Sequence, residues 1–251
     1  MVHFVGAGCG APDLITVRGA RLLAQADVVI YAGSLVNPAL LEYAGKDARI
    51  YDSAKLTLEE IMGIICAAES SGKTTVRLHT GDSSLYGAVR EQFQALDAMG
   101  IEYDVCPGVS AMFGAAAALK AEYTVPELSQ TVIISRVEGR TPVPEKERLR
   151  ELAKHGATMV LYLSAGHIGR VQQELLSGGY PEDTPAAIAV KATWLEEELL
   201  RCRVGTLEQT AREHGVEKTA LILAGAFLGE GGSRSKLYDP EFSTGCREAK
   251  Q

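Results

Sequence analysis

At 251 residues the chain is long enough for two domains of roughly 100 to 150 residues, each able to bury its own core. A composition with 46% hydrophobic and 23% charged residues excludes disorder, and no apolar run approaches the roughly 18 residues that span a bilayer. The net charge of −7 argues against a nucleic-acid partner, which needs a basic footprint, so an anionic ligand would have to meet local cations. The chain opens directly on a strand pattern, with no basic region and no cleavage site, and a cytoplasmic location is expected. Its five cysteines, Cys9, Cys66, Cys106, Cys202 and Cys246, are odd in number and contain no CxxC pair. Neither a disulfide framework nor a structural zinc is expected.

A first strand over residues 2–5 runs into Gly6, Gly8 and Gly10, and apolar residues at helical spacing follow over 14–24. A second strand is predicted at 28–31, and Asn37 with Pro38 marks a helix start. A weaker strand lies at 49–51. Thr57 and Glu60 form a capping box ahead of a helix that reaches about Ser70 and stops at Gly72. The β-branched and apolar run 75–78 reads as a buried strand and ends in the polar loop His79, Thr80, Gly81, Asp82, Ser83, Ser84. There Gly81 permits a tight turn or close approach to a ligand, and Asp82 and the serines are candidate caps for the next helix. A helix to about Met99, a strand over 101–106, and an Ala-rich helix over 110–119 complete the first half. Strands alternating with helices in this way predict a parallel five-stranded sheet covered on both faces.

The pattern lapses between Lys120 and Leu128, and the domain boundary is placed at 122/123, giving an N-terminal α/β domain over 1–122 and a C-terminal α/β domain over 123–251. Strands at 131–135, 158–163, 186–190, 199–204 and 220–224 alternate with helices from Glu145, from His167 to Leu176, and from Thr206, where Gln209 suggests a second capping box. This sheet is expected to be mixed. The tail beyond Gly229, rich in Gly, Ser and charge, is expected to be partly mobile.

Two loops carry the ligand signal, because strand, glycine loop, helix is the arrangement at which open α/β sheets bind small molecules. Gly6, Gly8 and Ala11 satisfy the dinucleotide pattern GxGxxA. A nicotinamide site also needs an acid at the end of the second strand, however, and that strand runs into Tyr31, Ala32, Gly33, Ser34. A packing turn explains the loop equally well. The five histidines, His3, His79, His155, His167 and His214, lack metal spacing, and Ser83 and Ser84 lack the context of a nucleophile elbow. Trp194, the only tryptophan, is open to packing or to ligand stacking, and 196–198 reads as a solvated turn. Two ligand loops without an evident acid, base or nucleophile suit chemistry whose reactivity a cofactor brings.

In order and spacing, VHFVGAGCGAPDLITVRGARLLAQADVVIYAGSLV, VRLHTGDSSLYGA, PGVSAMFGAAAAL, TMVLYLSAG, VKATW and VGTL resemble the motifs of the tetrapyrrole (corrin and porphyrin) methylases, over residues 2 to about 225. AGSLV, ELSQTVIISR and EGRTPVP are similar to the branch of that family that methylates carbon 11 of precorrin-4 or cobalt-precorrin-4, on the route to cobalamin. The resemblance implies two α/β domains, S-adenosylmethionine (S-adenosyl-L-methionine) in the cleft between them, and a homodimer. It also implies cofactor contacts at Cys9, Thr80, Gly81, Asp82, Leu85, Ser110 and Ala111, and at Leu163 and Ala192 in the second half. Where the family carries proline, this chain has Cys9 and Ser83, so both loops are expected to be less rigid.

Because the tetrapyrrole is fringed with carboxylates and the protein is acidic, Arg136 and Arg140, and more weakly Arg18 and Lys191, are candidate substrate contacts. No general base is assigned, and no metal site. Two other readings stand beside this one. One is a methylase of the same fold acting on uroporphyrinogen III, another corrin intermediate or a modified histidine. The other is a nucleotide-binding oxidoreductase or a non-catalytic binder built on the first glycine loop.

Overall fold

The computed structural model describes residues 1–249. Its first sheet comprises β1 (Val2–Gly6), β2 (Val28–Tyr31), β3 (Arg49–Asp52), β4 (Thr75–His79) and β5 (Tyr103–Cys106), all parallel, in the order β3-β2-β4-β1-β5. Helices α1 (Val17–Gln25), α2 (Leu58–Ser70), α3 (Arg90–Met99) and α4 (Ala111–Leu119) lie between and after these strands. Because successive strand side chains alternate in direction, the sheet sorts its apolar residues into two cores. Val5, Val29, Val76 and Leu78 pack with Leu23 of α1 on one face, and Phe4 and Ile30 pack with Ile61 and Ile65 of α2 and Leu96 of α3 on the other. Each such fully buried side chain contributes about 1.5–3 kcal/mol.

The second sheet comprises β6 (Val132–Ser135), β7 (Thr158–Leu161), β8 (Pro185–Val190), β9 (Glu198–Arg203) and β10 (Ala220–Ala224), in the order β6-β7-β10-β8-β9. It is mixed: β6 and β7 are parallel, while β10 runs antiparallel to β7 and β8, and β8 to β9. The carboxyl ends of β6, β7 and β8 therefore lie along one edge. Helices α5 (Leu149–Ala153), α6 (Ile168–Ser177) and α7 (Leu207–Glu213) supply Leu149, Val171, Leu175 and Leu207 to a core with Met159, Leu161, Ile188 and Ile222.

The chain divides into two compact units, Met1–Ala115 with Lys191–Glu197, and Ala116–Val190 with Glu198–Gln251. The division falls inside α4, ahead of the expected 122/123, and the hairpin loop between β8 and β9 groups with the first unit.

Local signals met different fates. The Thr57–Glu60 capping box is present: Thr57 N–H donates to Glu60 Oε2 at 2.8 Å and Glu60 N–H to Thr57 Oγ1 at 3.3 Å. The expected Thr206–Gln209 box is not. Val204–Thr206 forms a 3-10 turn in which the Thr206 hydroxyl accepts from Arg203 N–H instead, and Gln209 donates to Glu213. The helix expected from Leu14 begins at Val17, after a 3-10 turn over Pro12–Leu14, with Thr16 as its cap. Asn37 caps a 3-10 segment, Pro38–Tyr43. The tail past Gly229 carries a 3-10 turn at Lys236–Tyr238 and a short bridge between Thr244 and Arg247.

Candidate cofactor site

In the first sheet, β1 connects to β2 across β4, and β4 connects to β5 across β1. The crossovers leave β1 and β4 in opposite directions. Their carboxyl ends form the switch point at which such sheets open a crevice. Both glycine loops start there and are tied together, Gly8 N–H donating to Gly81 O at 3.2 Å and Gly81 N–H to Gly8 O at 2.9 Å. The loop after β5 joins them through Gly108 N–H, which donates to Asp82 Oδ2 at 2.8 Å.

The glycines permit this approach. A Cβ on Gly6 would lie 2.6 Å from Gly108 Cα and 2.6 Å from Gly81 O, so a side chain there would force the loops apart. Gly81 is different. At φ +61° it occupies the left-handed region, yet a Cβ there would meet Ser110 Cα and Ala111 N only at an ordinary 3.5 Å. Its constraint is conformational rather than steric.

Asp82 does not cap the next helix, which begins only at Arg90, and neither do Ser83 and Ser84. Asp82 Oδ1 instead accepts from Ser84 N–H at 2.9 Å and Ser84 Oγ at 2.5 Å. Burial opposes its charge, but the bonds from Ser84 and Gly108 outweigh it and hold the carboxyl below its ordinary pKa. Thr80 Oγ1 and His79 Nε2 are buried without a hydrogen-bond partner. A buried hydroxyl left unsatisfied in a glycine loop is unusual in a native fold, and it is the feature that best fits a bound polar ligand.

Cys9, Thr80, Gly81, Asp82, Leu85, Ser110, Ala111 and Ala192 all belong to the first unit. Gly81 abuts Ser110 and Ala111 at the start of α4, and Cys9 packs against Gly114 one turn further on, where a Cβ would lie 2.8 Å from Cys9 Sγ. Leu163 lies in the second unit, after β7; it is 63% exposed with φ +49°. Left-handed backbone at a bulky non-glycine residue costs about 1–3 kcal/mol and gathers at functional loops. Tyr86 and Ala88 after β4, and Lys191 and Thr193 after β8, share it.

The four basic candidates differ. Arg136 is engaged by its own loop, donating to Thr141 O at 3.1 Å and Pro142 O at 2.8 Å. Arg140 and Arg18 are exposed. Lys191 pairs with Glu196 at 3.1 Å and lies 5.7 Å from the Trp194 ring centroid. The stretch 196–198 is exposed but not merely solvated, since Glu197 accepts from Thr193 N–H and Glu198 from His214.

In β4, Arg77 escapes a sequence reading because the residues around it are apolar, and His79, expected in the loop that follows, instead closes the strand. Arg77, 5% exposed, donates through Nε to Gln92 Oε1 and through Nη1 to Ile30 O, each at 3.0 Å. Burial pulls its pKa down to about 10. His79, 4% exposed, stacks on Phe4 with centroids 5.9 Å apart. Burial, aided by the Arg77 charge, drives its pKa to about 3, so the ring is neutral at physiological pH. Arg77, His79, Glu91 and Gln92 line a cavity of about 360 Å³. No cluster of metal-ligating residues occurs among the described residues, and none of their helices is long and apolar enough to cross a membrane.

A parallel sheet with glycine loops joined at its switch point, followed by a mixed α/β sheet, defines a two-sheet α/β protein. The chain belongs to the tetrapyrrole (corrin/porphyrin) methylases, whose family model matches residues 1–208. It is 49% identical over 249 residues to the cobalt-precorrin-4 C(11)-methyltransferase of Methanocaldococcus jannaschii, covering 99% of this chain and 96% of the relative. The X-ray structure of the cobalt precorrin-4 methyltransferase CbiF superposes with a TM-score of 0.89 at 46% identity, covering 91% of this chain and 96% of that one. The uroporphyrin-III C-methyl transferase of Thermus thermophilus, complexed with S-adenosylhomocysteine, superposes with a TM-score of 0.75 at 26% identity, covering 90% and 98%.

Proposed function

We propose that this chain transfers the methyl group of S-adenosylmethionine to carbon 11 of precorrin-4 or cobalt-precorrin-4, a step in building the corrin ring of cobalamin. Near-half identity along 99% of the chain to a cobalt-precorrin-4 C(11)-methyltransferase carries the reading. S-adenosylmethionine would supply a methyl group already activated on a sulfonium, which suits a site without an evident nucleophile. The protein's part is then to bind, orient and exclude water.

The residues of the first unit suit such a cofactor. Thr80 Oγ1 offers a buried, unsatisfied hydroxyl, Gly81 a left-handed turn without a side chain, and Asp82 a carboxylate kept ionised. Cys9, Leu85, Ser110, Ala111 and Ala192 complete the proposed set, with Leu163 as a further contact implied by the resemblance. Arg140 is the best placed of the cationic candidates for a substrate carboxylate, being exposed on the loop that Arg136 braces; Arg18 and Lys191 rank behind it. A nicotinamide reading has less to support it, because β2 ends without an acid to hold ribose hydroxyls.

The proposed assembly is a homodimer, consistent with large apolar side chains such as Val17, Leu35 and Phe113 standing exposed in the first unit. The five cysteines, all free thiols, suit a reducing cytoplasm. The test is incubation with S-adenosylmethionine and, separately, precorrin-4 and cobalt-precorrin-4, read by mass spectrometry. One added methyl, placed at carbon 11 by NMR, is expected. Methylation of uroporphyrinogen III alone would assign the chain to another branch.

A further inference from the structure

The loop joining β8 to β9, Lys191–Glu197, belongs to the first unit, and its backbone is unusual. Lys191 has φ +43° and Thr193 φ +70°. For a β-branched threonine this is a genuine outlier, and such strain persists only where surrounding contacts over-determine it. Those contacts converge on the glycine loop after β1. Thr193 Oγ1 accepts from Ala11 N–H at 3.0 Å and donates to Cys9 Sγ at 3.6 Å. The Thr193 backbone is fixed in turn by Glu197, whose Oε2 accepts its N–H at 2.6 Å.

Beside it, the indole of Trp194 lies where a Gly10 side chain would be: a Cβ there would stand 2.5 Å from Trp194 Nε1. On its other flank Gly10 O accepts from Asn37 Nδ2 at 3.0 Å. The segment Cys9 to Ala11 is thus gripped from both sides. One grip comes from a loop about 180 residues away in sequence, Ala11 and Thr193 being separated by 182 positions.

We infer that the β8–β9 loop is a clasp for the first glycine loop and that Thr193 is a positioning residue for the cofactor. Its hydroxyl sets the place of Cys9 and Ala11 without itself touching the ligand. Proline, which would fix this loop by its own ring, is absent from position 9, and the Thr193 hydroxyl supplies from outside the restraint that the local sequence lacks. The inference rests on the proposed function, since it takes the loop to be part of an S-adenosylmethionine site.

The experiment is titration of the full-length protein with S-adenosylhomocysteine, read by calorimetry and by the emission of Trp194, the chain's single tryptophan. Thr193→Val keeps the β-branched shape and removes the hydroxyl; Thr193→Ser keeps the hydroxyl. Thr193→Val is expected to raise Kd about tenfold, with kcat at saturating cofactor changed less than KM for the cofactor. Thr193→Ser should stay within about twofold of the parent. Gly10→Ala, which displaces the indole, should weaken binding in the same range and provides a second route if Thr193→Val does not fold. Equal affinity of parent and Thr193→Val overturns the inference, as does an equal loss in Thr193→Val and Thr193→Ser. If Gly10→Ala is the only foldable test, unchanged affinity overturns it too. Failure of the parent itself to bind S-adenosylhomocysteine removes the proposed function, and this inference with it.

Discussion

Gln92 stands between Arg77 and the loop after β4: it accepts from the buried guanidinium at 3.0 Å through Oε1 and donates from Nε2 to Ala88 O at 3.1 Å. With Arg77 also donating to Ile30 O, a relay links β2, β4 and the strained backbone at Ala88, where φ is +47°. Among the described residues no carboxylate pairs with this arginine, and its guanidinium donates to the neutral oxygens of Gln92 and Ile30. Gln92→Leu leaves a buried cation short of an acceptor and should destabilise the fold by about 2–3 kcal/mol. Gln92→Glu, which restores an acceptor and adds a countercharge, should cost much less. Denaturant midpoints of the two variants check this.

His79 gives the fold an acid limit. Its pKa of about 3 in the folded chain lies below the ordinary value near 6.5 of an unfolded histidine, so between those values the unfolded state binds the extra proton. Stability from this group is complete above about pH 6.5 and is lost as pH falls toward 3. His79→Phe keeps an aromatic ring against Phe4 and should flatten the decline in melting temperature over that window. An unchanged profile would assign the acid lability to other groups.

At Gly81 the expected defect is in binding more than in folding. Since a Cβ there meets neighbours at 3.5 Å, Gly81→Ala has room but must adopt φ near +61°, at about 1 kcal/mol, and the β-branched Gly81→Val should cost about 1–3 kcal/mol. Calorimetry should find S-adenosylhomocysteine affinity falling from Gly81 through Ala to Val. A Val variant that folds normally and binds as tightly as the parent would take this loop out of the site.

Arg136 and Arg140 should separate. Arg140→Ala is expected to raise KM for the tetrapyrrole several-fold at low salt, less so at high salt because exposed charges are screened, with S-adenosylhomocysteine affinity unchanged. Arg136→Ala also removes the bonds to Thr141 O and Pro142 O, so its loss should be insensitive to salt and accompanied by a lower melting temperature.

Sedimentation at micromolar concentration should give a species of twice the 26.8 kDa chain mass. A single species at the monomer mass would remove the proposed dimer.

What the sequence disclosed follows from range. The strand over 75–78, the Thr57–Glu60 box and the turn after α2 at Gly72 are written in neighbouring residues, and each formed as read. Asp82 has the look of a cap in sequence, but its oxygens serve Ser84 and Gly108, the latter 26 positions away. Thr206 likewise resembles a cap, but it ends the 3-10 turn Val204–Thr206 and its hydroxyl accepts backward from Arg203 N–H. The adjacency of the first and fourth strands could be anticipated from topology. The hold of Thr193 on Ala11 could not, since no local pattern records a bond across 182 positions. Arg77 was invisible for another reason: a long cation inside an apolar run carries no sign of whether its head is buried.

The β8–β9 loop also bears on how the polypeptide can be taken apart. The first unit is assembled from two stretches, Met1–Ala115 and Lys191–Glu197, so no single cut releases it whole. A fragment ending at Ala115 would leave Ala11 N–H without its threonine acceptor and Gly10 without its indole cover. Such a fragment should recover native-like order only when a peptide carrying residues 191–197 is added in trans, a case of complementation by seven residues closed into a ring to mimic their hairpin.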